Sequence, residues 1–442
     1  MERKYKILLI SDHPLISSGV GLQAKYLIEG LLETGRYKFI CFGGAIKHPD
    51  YKPQMVAPEK FGEGNWIIIP VDGHGDKDML RRVLYYERPD AVVIFTDPRF
   101  FYWIWEVEDE IRSVCPLLYW HVWDGDPHPE FNRIFYDSTD FIAALSLKTY
   151  GTLQGLEYPK EKFSYIPHAL PDQLFKPLPD DEVTKFKAKN YGPHADKKFI
   201  VMWNNRNARR KATGDVIDSF ARFATKVGMD NVALFMHTAA RDPEGQDIVA
   251  VAKKFGVDRC IMISEDRVEP GTLNFFYNVA DCTINIANAE GFGLSTLESL
   301  YAGTPIVAHM IGGLQFQMGD WWEGFDDFSS QKKMTEIARR KWRSRSCRWW
   351  GVPIFPAVRN CVGSQQVPYI YEEHADNDDV ADALVKLYEM GRPARRRLGL
   401  EAREWATRTF DLQKMIASWD DVLAAQIEKF DRDASRIRVA KI

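Results

Sequence analysis

The sequence predicts an α/β protein of two parallel-sheet domains facing across a cleft, and three observations carry that prediction. Short apolar runs alternate with longer amphipathic stretches from residue 7 to residue 144, the rhythm of a parallel sheet covered by helices. The same rhythm restarts near Phe199. Between the two series, the stretch 171–198 carries Pro171, Pro177, Pro179 and Pro193 among many charges, as an interdomain connection does. A chain of 442 residues fits two or three domains at about 150 residues each.

The elements follow in order. Strand-length apolar runs of the first series lie at 7–10, 39–42, 67–69, 91–95, 117–120 and 141–144. Behind the first run, Val20, Leu27, Ile28, Leu31 and Leu32 recur at helical spacing and Gly35 supplies a stop. The first unit therefore reads strand, glycine turn, helix. Runs of the second series lie at 199–203, 232–236, 260–263, 282–286 and 305–308, and Val216, Phe220, Phe223, Ala224 and Val227 mark one helix face between the first two. The expected divisions are a first domain over 1–172, a connection over 173–198, a second domain over 199–405 and final helices over 406–442. In paired parallel-sheet domains the ligand site is expected in the cleft.

Composition narrows the chemistry. Hydrophobic residues at 45% and charged residues at 27% fall in the ordinary globular range and exclude a disordered chain. No apolar run approaches the roughly 18 residues of a membrane span. Only four strongly apolar residues precede Ser11 and Asp12, too few for a secretory signal, so a soluble, cytoplasmic chain is expected. Cys41, Cys115, Cys260, Cys282, Cys347 and Cys361 show no Cys-x-x-Cys spacing, which predicts neither zinc nor disulfides. The net charge of −4, from 58 basic and 62 acidic residues, means that any nucleic-acid contact must come from a local patch.

The most informative segment is Glu290-Gly-Phe-Gly-Leu-Ser-Thr-Leu-Glu298, between a strand-like run and a helical stretch ending at Gly303. Glycines at 291 and 293 allow close backbone approach, and a helix start near Leu294 offers the amides of Gly293, Leu294, Ser295 and Thr296 to an anion such as a diphosphate. Glu298, about one turn into the helix, can accept from a ribose diol, and Glu290 can reach a sugar hydroxyl. The same spacing also fits a plain glycine turn with two solvated glutamates.

Together with Ala302-Gly303-Thr304-Pro305-Ile306-Val307-Ala308 and Gly312-Gly313, this segment resembles the E-x7-E signature of glycosyltransferase family 4. That resemblance implies the GT-B fold, two Rossmann-like domains with a C-terminal helix returning to the first, and sugar transfer with retention of configuration. Asn205-Arg206-Asn-Ala-Arg-Arg-Lys211 is similar to the family's Arg and Lys pair on the donor diphosphate, with Arg206 and Lys211 in those positions. Charge-assisted bonds of about 1.5–3 kcal/mol each suit that task. Ser18-Gly19-Val20-Gly21 is similar to the family's glycine loop near the donor, which implies Gly19 and Val20 as donor contacts. His121, in Tyr119-Trp-His121-Val-Trp-Asp124-Gly-Asp126, resembles the acceptor-side histidine, although a packed histidine at a strand end fits equally. Asp124-Gly-Asp126 is also similar to the metal-binding D-x-D of the other major glycosyltransferase fold, but the GT-B resemblance implies no metal. It implies a nucleotide-sugar co-substrate, UDP-sugar favoured over GDP-sugar, and a hexosyl- or pentosyltransferase.

The stretch 315–366 stands where the family usually has a short loop. Its residues 331–350 carry eight cations, Lys332, Lys333, Arg339, Arg340, Lys341, Arg343, Arg345 and Arg348, against Glu336, with Trp342, Trp349 and Trp350 interleaved. Cations tracking phosphates and rings stacking on bases make a nucleic-acid surface; a solvated helix with tryptophans packed inward fits too. The segment from Gly351 through Val367-Pro-Tyr-Ile-Tyr resembles glycosyltransferases of large tailed phages, which implies host cytoplasm and duplex DNA as a partner, its acceptor a 5-hydroxymethylated pyrimidine. A cell-surface glycan or small-molecule acceptor, or a non-catalytic nucleic-acid or sugar-nucleotide binding protein, remains the alternative.

Overall fold

A computed structural model of the chain describes residues 3–191 and 198–436. Pro193 with the rest of 192–197 in the expected connection, and 437–442 of the expected final helices, lie outside the described residues. The chain divides into two compact units, each a Rossmann-like α/β layer structure as expected.

The first unit holds the described residues up to Trp123, His128–Ala169 and the chain from Leu412. Its strands are β1 (Tyr5–Asp12), β2 (Tyr37–Gly44), β3 (Gln54–Met55), β4 (Trp66–Pro70), β5 (Ala91–Phe95), β6 (Leu117–His121), β7 (Phe141–Ala144) and β8 (Phe163–Tyr165). They pair in the order β3-β4-β2-β1-β5-β6-β7-β8, all parallel except β3 on β4. Central strands of such a sheet are covered on both faces, so they read as continuous apolar runs; Leu8, Leu9, Ile10, Val92 and Ile94 are all buried. Helix Gly19–Glu33 starts where the Ser18 hydroxyl accepts from the Gly21 amide at 2.9 Å. Helix Leu412–Arg436 repeats apolar residues every fourth position. Met415, Trp419, Leu423 and Ile427 are buried, Trp419 lies 5.1 Å edge-on to Trp120, and the Tyr37 hydroxyl donates to Asp420 at 2.5 Å.

The second unit holds Asp124–Pro127 and Leu170–Asp411. It contains β9 (Phe199–Asn204), β10 (Val232–His237), β11 (Ile261–Ser264), β12 (Cys282–Asn285), β13 (Ile306–His309) and β14 (Gly351–Ile354), a six-stranded parallel sheet in the order β11-β10-β9-β12-β13-β14. An antiparallel hairpin, β15 (Val358–Val362) and β16 (Ile370–His374), follows. Residues 180–191 of the expected connection form helix Asp180–Tyr191, with Asp180, Asp181 and Glu182 in its first turn, where acidic groups meet the helix dipole favourably.

The stretch 315–366 is built of a helix and strands as well as loop. It supplies β14, an edge strand of the core sheet, because Val352 and Ile354 face the hydrophobic core and β13 is bracketed by bonds from Ile306 N to Trp350 O and from Met310 N to Ile354 O. Its tryptophans pack inward. Trp350 is fully buried against Trp405 at 5.5 Å, and Trp349, buried, sits edge-on to Trp342 at 5.4 Å. Trp342 itself packs on the core. The base-stacking role read for Trp342 and Trp349 therefore gives way to core packing, where a large ring gains most. Helix Gln331–Ser344 buries Gln331, Met334 and Ala338. Arg339 lies over Phe355, Lys341 donates to Trp321 O at 2.6 Å, Lys333 pairs with Asp327 and Arg348 with Asp320. The exposed side chains of Lys332, Arg340, Arg343 and Arg345 have no partner among the described residues.

If Trp349 is a packing residue, Trp349→Ala should cost about 3 kcal/mol or more, seen as a lowered thermal midpoint. An unchanged midpoint would take the ring out of the packed layer.

Candidate active site

In the second unit the site is built on the loop between β12 and helix Leu294–Tyr301. Gly293, at φ +93°, ends the loop in a left-handed conformation, and no side chain caps the helix start, leaving its first amides to a ligand. Leu294 and Ser295 there are half-buried, while Thr296 is buried and accepts from Asn285 at 3.3 Å. A second glycine turn braces the loop from behind. Gly313 N donates to Glu290 O at 2.8 Å, and a Cβ at Gly313 would stand 2.2 Å from Gly291 O, so only glycine permits this approach.

Glu290 is ion-paired with Lys211, and the Arg210 guanidinium lies 3.8 Å away while donating to Ala289 O at 2.8 Å. Burial pulls the Glu290 carboxyl upward, but the Lys211 and Arg210 charges outweigh it and hold the group below its ordinary range. Lys211 ends a short turn, Arg209–Lys211, after β9. Buried Asn207 organises that turn, donating to Gln246 O at 2.6 Å and accepting from the Thr213 hydroxyl at 3.0 Å. Asp124 is within electrostatic reach of Arg210, Glu290 and Lys211, and burial raises its carboxyl above the usual range.

Glu298 is buried one turn into the helix. It accepts from the Tyr277 hydroxyl at 2.6 Å, and that hydroxyl accepts from Asn204 Nδ2 at 2.7 Å. Burial pushes Glu298 up to about 7 against the opposing tyrosine hydrogen bond.

The structure thus brings together Lys211, Glu290 and the Gly293 helix start, with Glu298 inside that helix. Arg206 stands apart from them, 63% exposed and paired with Asp242 at 2.9 and 3.0 Å. Sequence reasoning passed over Arg210, Asn204, Asn207 and Tyr277. Only Arg210 left a signal, its position in the same basic run as Lys211.

In the first unit, Gly19 is exposed and Val20 half-buried at the start of their helix, behind a Ser18 hydroxyl that donates to Asp12 at 2.7 Å. His121 is fully buried at the end of β6, its Nε2 2.8 Å from the Tyr136 hydroxyl and its Nδ1 without a hydrogen-bond partner. Burial, assisted by Lys148, drives it down to about 3, so the ring is neutral. Among the described residues no three His, Cys, Asp or Glu side chains group as metal ligands, and Asp126 of the Asp-Gly-Asp segment is paired with Arg359. No helix among them is long and apolar enough to cross a membrane.

Residues 184–333 match the family model described as "Glycosyl transferases group 1". The chain is similar to trehalose synthase of Pyrococcus horikoshii, 28% identical over 118 residues, a match spanning 26% of this chain and 28% of that protein. In three dimensions it is similar to sucrose-phosphate synthase from Thermosynechococcus elongatus, with a TM-score of 0.71 at 15% identity over 96% of this chain and 99% of that one. Anabaena HepE in complex with UDP and glucose aligns with a TM-score of 0.66 at 13% identity, over 95% of this chain and all of that one. These structural likenesses show the architecture, and the matched residues contain the loop and helix just described. The chain has the GT-B fold, and residues 184–333 within it match the group 1 glycosyl transferase model.

Proposed function

We propose that the protein is a glycosyltransferase that moves a sugar from a nucleotide-sugar donor to a hydroxyl acceptor, with retention and without a metal. The observation that carries the reading is the buried Lys211–Glu290 pair beside the uncapped start of helix Leu294–Tyr301. A departing diphosphate needs fixed positive charge. Lys211 and Arg210 supply it here, Arg206 joins on leaving Asp242, and the helix amides add dipoles already oriented toward the anion. Glu298 receives the ribose diol. Retention follows from the family resemblance, with Glu290 committed to Lys211 and so held as a charge partner. The UDP in the HepE complex favours a UDP-sugar.

A second observation favours DNA as the acceptor, at a hydroxymethylated pyrimidine. Lys332, Arg340, Arg343 and Arg345 are exposed and unpartnered among the described residues, and solvated cations on one helix and its C-cap can track phosphates.

Incubation with labelled UDP-sugars should give transfer or hydrolysis, with the donor's anomeric configuration kept in the product by NMR. Lys211→Ala and Arg206→Ala should each lower kcat/KM tenfold or more, the equivalent of about 1.5–3 kcal/mol. Parent-like rates in both would remove the donor assignment. Glu298 gives a pH signature. Its carboxyl titrates near 7 in the fold against 4.5 in the open chain, so the folded state favours the protonated form. Stability is then greatest below about pH 4.5 and falls as pH rises through 7, by about 3 kcal/mol. The thermal midpoint of the parent should drop relative to Glu298→Gln between pH 5 and 8; parallel profiles would refute a buried carboxyl. For the acceptor, replacing Lys332, Arg340, Arg343 and Arg345 by Gln should flatten the salt dependence of duplex binding by up to about 0.9 per lost phosphate contact. Absence of both DNA affinity and transfer to hydroxymethylated DNA would leave a glycan or small molecule as acceptor.

A further inference from the structure

The second unit contains another cleft, lined by none of Arg206, Arg210, Lys211, Glu290 or Glu298. Its walls are the end of helix Pro270–Val279, the turn 302–305, the start of helix Arg392–Thr409 and helix Asp180–Tyr191. Three guanidiniums line it, those of Arg392, Arg395 and Arg396, against two carboxylates, Asp180 and Asp281.

The carboxylates do not balance the cations. Arg395 is nearly buried and takes Asp281 to itself at 2.6 Å, yet its Nε has no hydrogen-bond partner. Arg392 and Arg396, one turn apart on the same helix face, both reach a single oxygen of Asp180, at 3.3 and 2.6 Å. Like charges at that spacing repel, and one carboxylate oxygen between two guanidiniums leaves most of their N–H donors free. The helix they begin has a glycine at its N-cap and no side-chain cap, so its positive dipole end adds to the excess. Guanidinium forks in this arrangement suit the several oxygens of a tetrahedral oxyanion.

We propose that this cleft binds a phosphate group, either free phosphate or the phosphomonoester of a small molecule, with Arg392 and Arg396 as its principal donors and Asp180 as the internal competitor that an incoming anion displaces. Binding forms no covalent bond.

Titration calorimetry of the full chain with inorganic phosphate at fixed ionic strength tests this. A single saturable site is expected, weakened at least tenfold in the Arg392→Ala, Arg396→Ala double variant, whose side chains are exposed. Asp180→Asn should tighten binding severalfold, since it removes the competitor while keeping the side-chain shape; a merely structural ion pair gives no such gain. Lys211→Ala should leave the phosphate isotherm unchanged, which separates this cleft from the donor loop. Glycerol 3-phosphate binding more tightly than phosphate would identify a phosphomonoester, and the reverse order free phosphate. The proposal falls if no saturable binding occurs, if Lys211→Ala abolishes it while the arginine variants do not, or if Asp180→Asn leaves it unaltered.

Discussion

A charge pair held away from bulk water, Lys211 with Glu290, is the constraint around which the second unit is arranged. Desolvating two ions costs more than their attraction returns unless neighbouring groups complete the shell, and here Arg210 and the surrounding loop do so. The pair fixes two otherwise independent loops, one following β9 and one following β12, at a single point. Asn288 N donating to Arg210 O at 2.8 Å ties the same loops through their backbones. The Gly312-Gly313 turn then closes the arrangement from behind, because any side chain at 313 would collide with the backbone of 291.

That braced loop continues into an aromatic layer. Phe292 meets Phe410 edge-on at 5.4 Å, Phe410 meets Trp405 at 5.7 Å, and Trp405 meets Trp350 beside β14. Segments that look peripheral along the chain are therefore continuous with the loop that bears Glu290. Large rings in close-packed contact transmit displacement, so β14 and helix Arg392–Thr409 belong to the support of the site.

The strand runs and the glycine turn before residue 294 were legible because each is a local pattern: continuous apolar residues for strands covered on both faces, and small residues where backbone approaches backbone. Glu290 and Glu298 share one stretch with the glycine turn, whereas Lys211, 79 residues before Glu290, was reached through the family resemblance of its own segment. Pairing across space was not legible. Asp242, which holds Arg206, lies 36 residues away in sequence and belongs to another loop. Tyr277 sits among helix residues whose apolar spacing is that of any core aromatic, and only its contact with Glu298 distinguishes it. β14 was obscured by Pro353 and by the tryptophans beside a basic run, which together look like a surface insertion until Ile306 and Met310 are seen bonded to its ends.

The contact between Trp120 and Trp419 has a consequence for the order in which the protein is made. Helix Leu412–Arg436 covers the face of the first unit that includes Trp120 and Tyr37, yet it leaves the ribosome after the whole of the second unit. At about 5–20 residues per second, the earlier face waits on the order of tens of seconds for its cover. Residues 170–411, by contrast, emerge as one uninterrupted segment containing nearly all of the second unit. Its core can be complete while the first unit still exposes apolar surface, so during synthesis the N-terminal half is the part most in need of protection from aggregation.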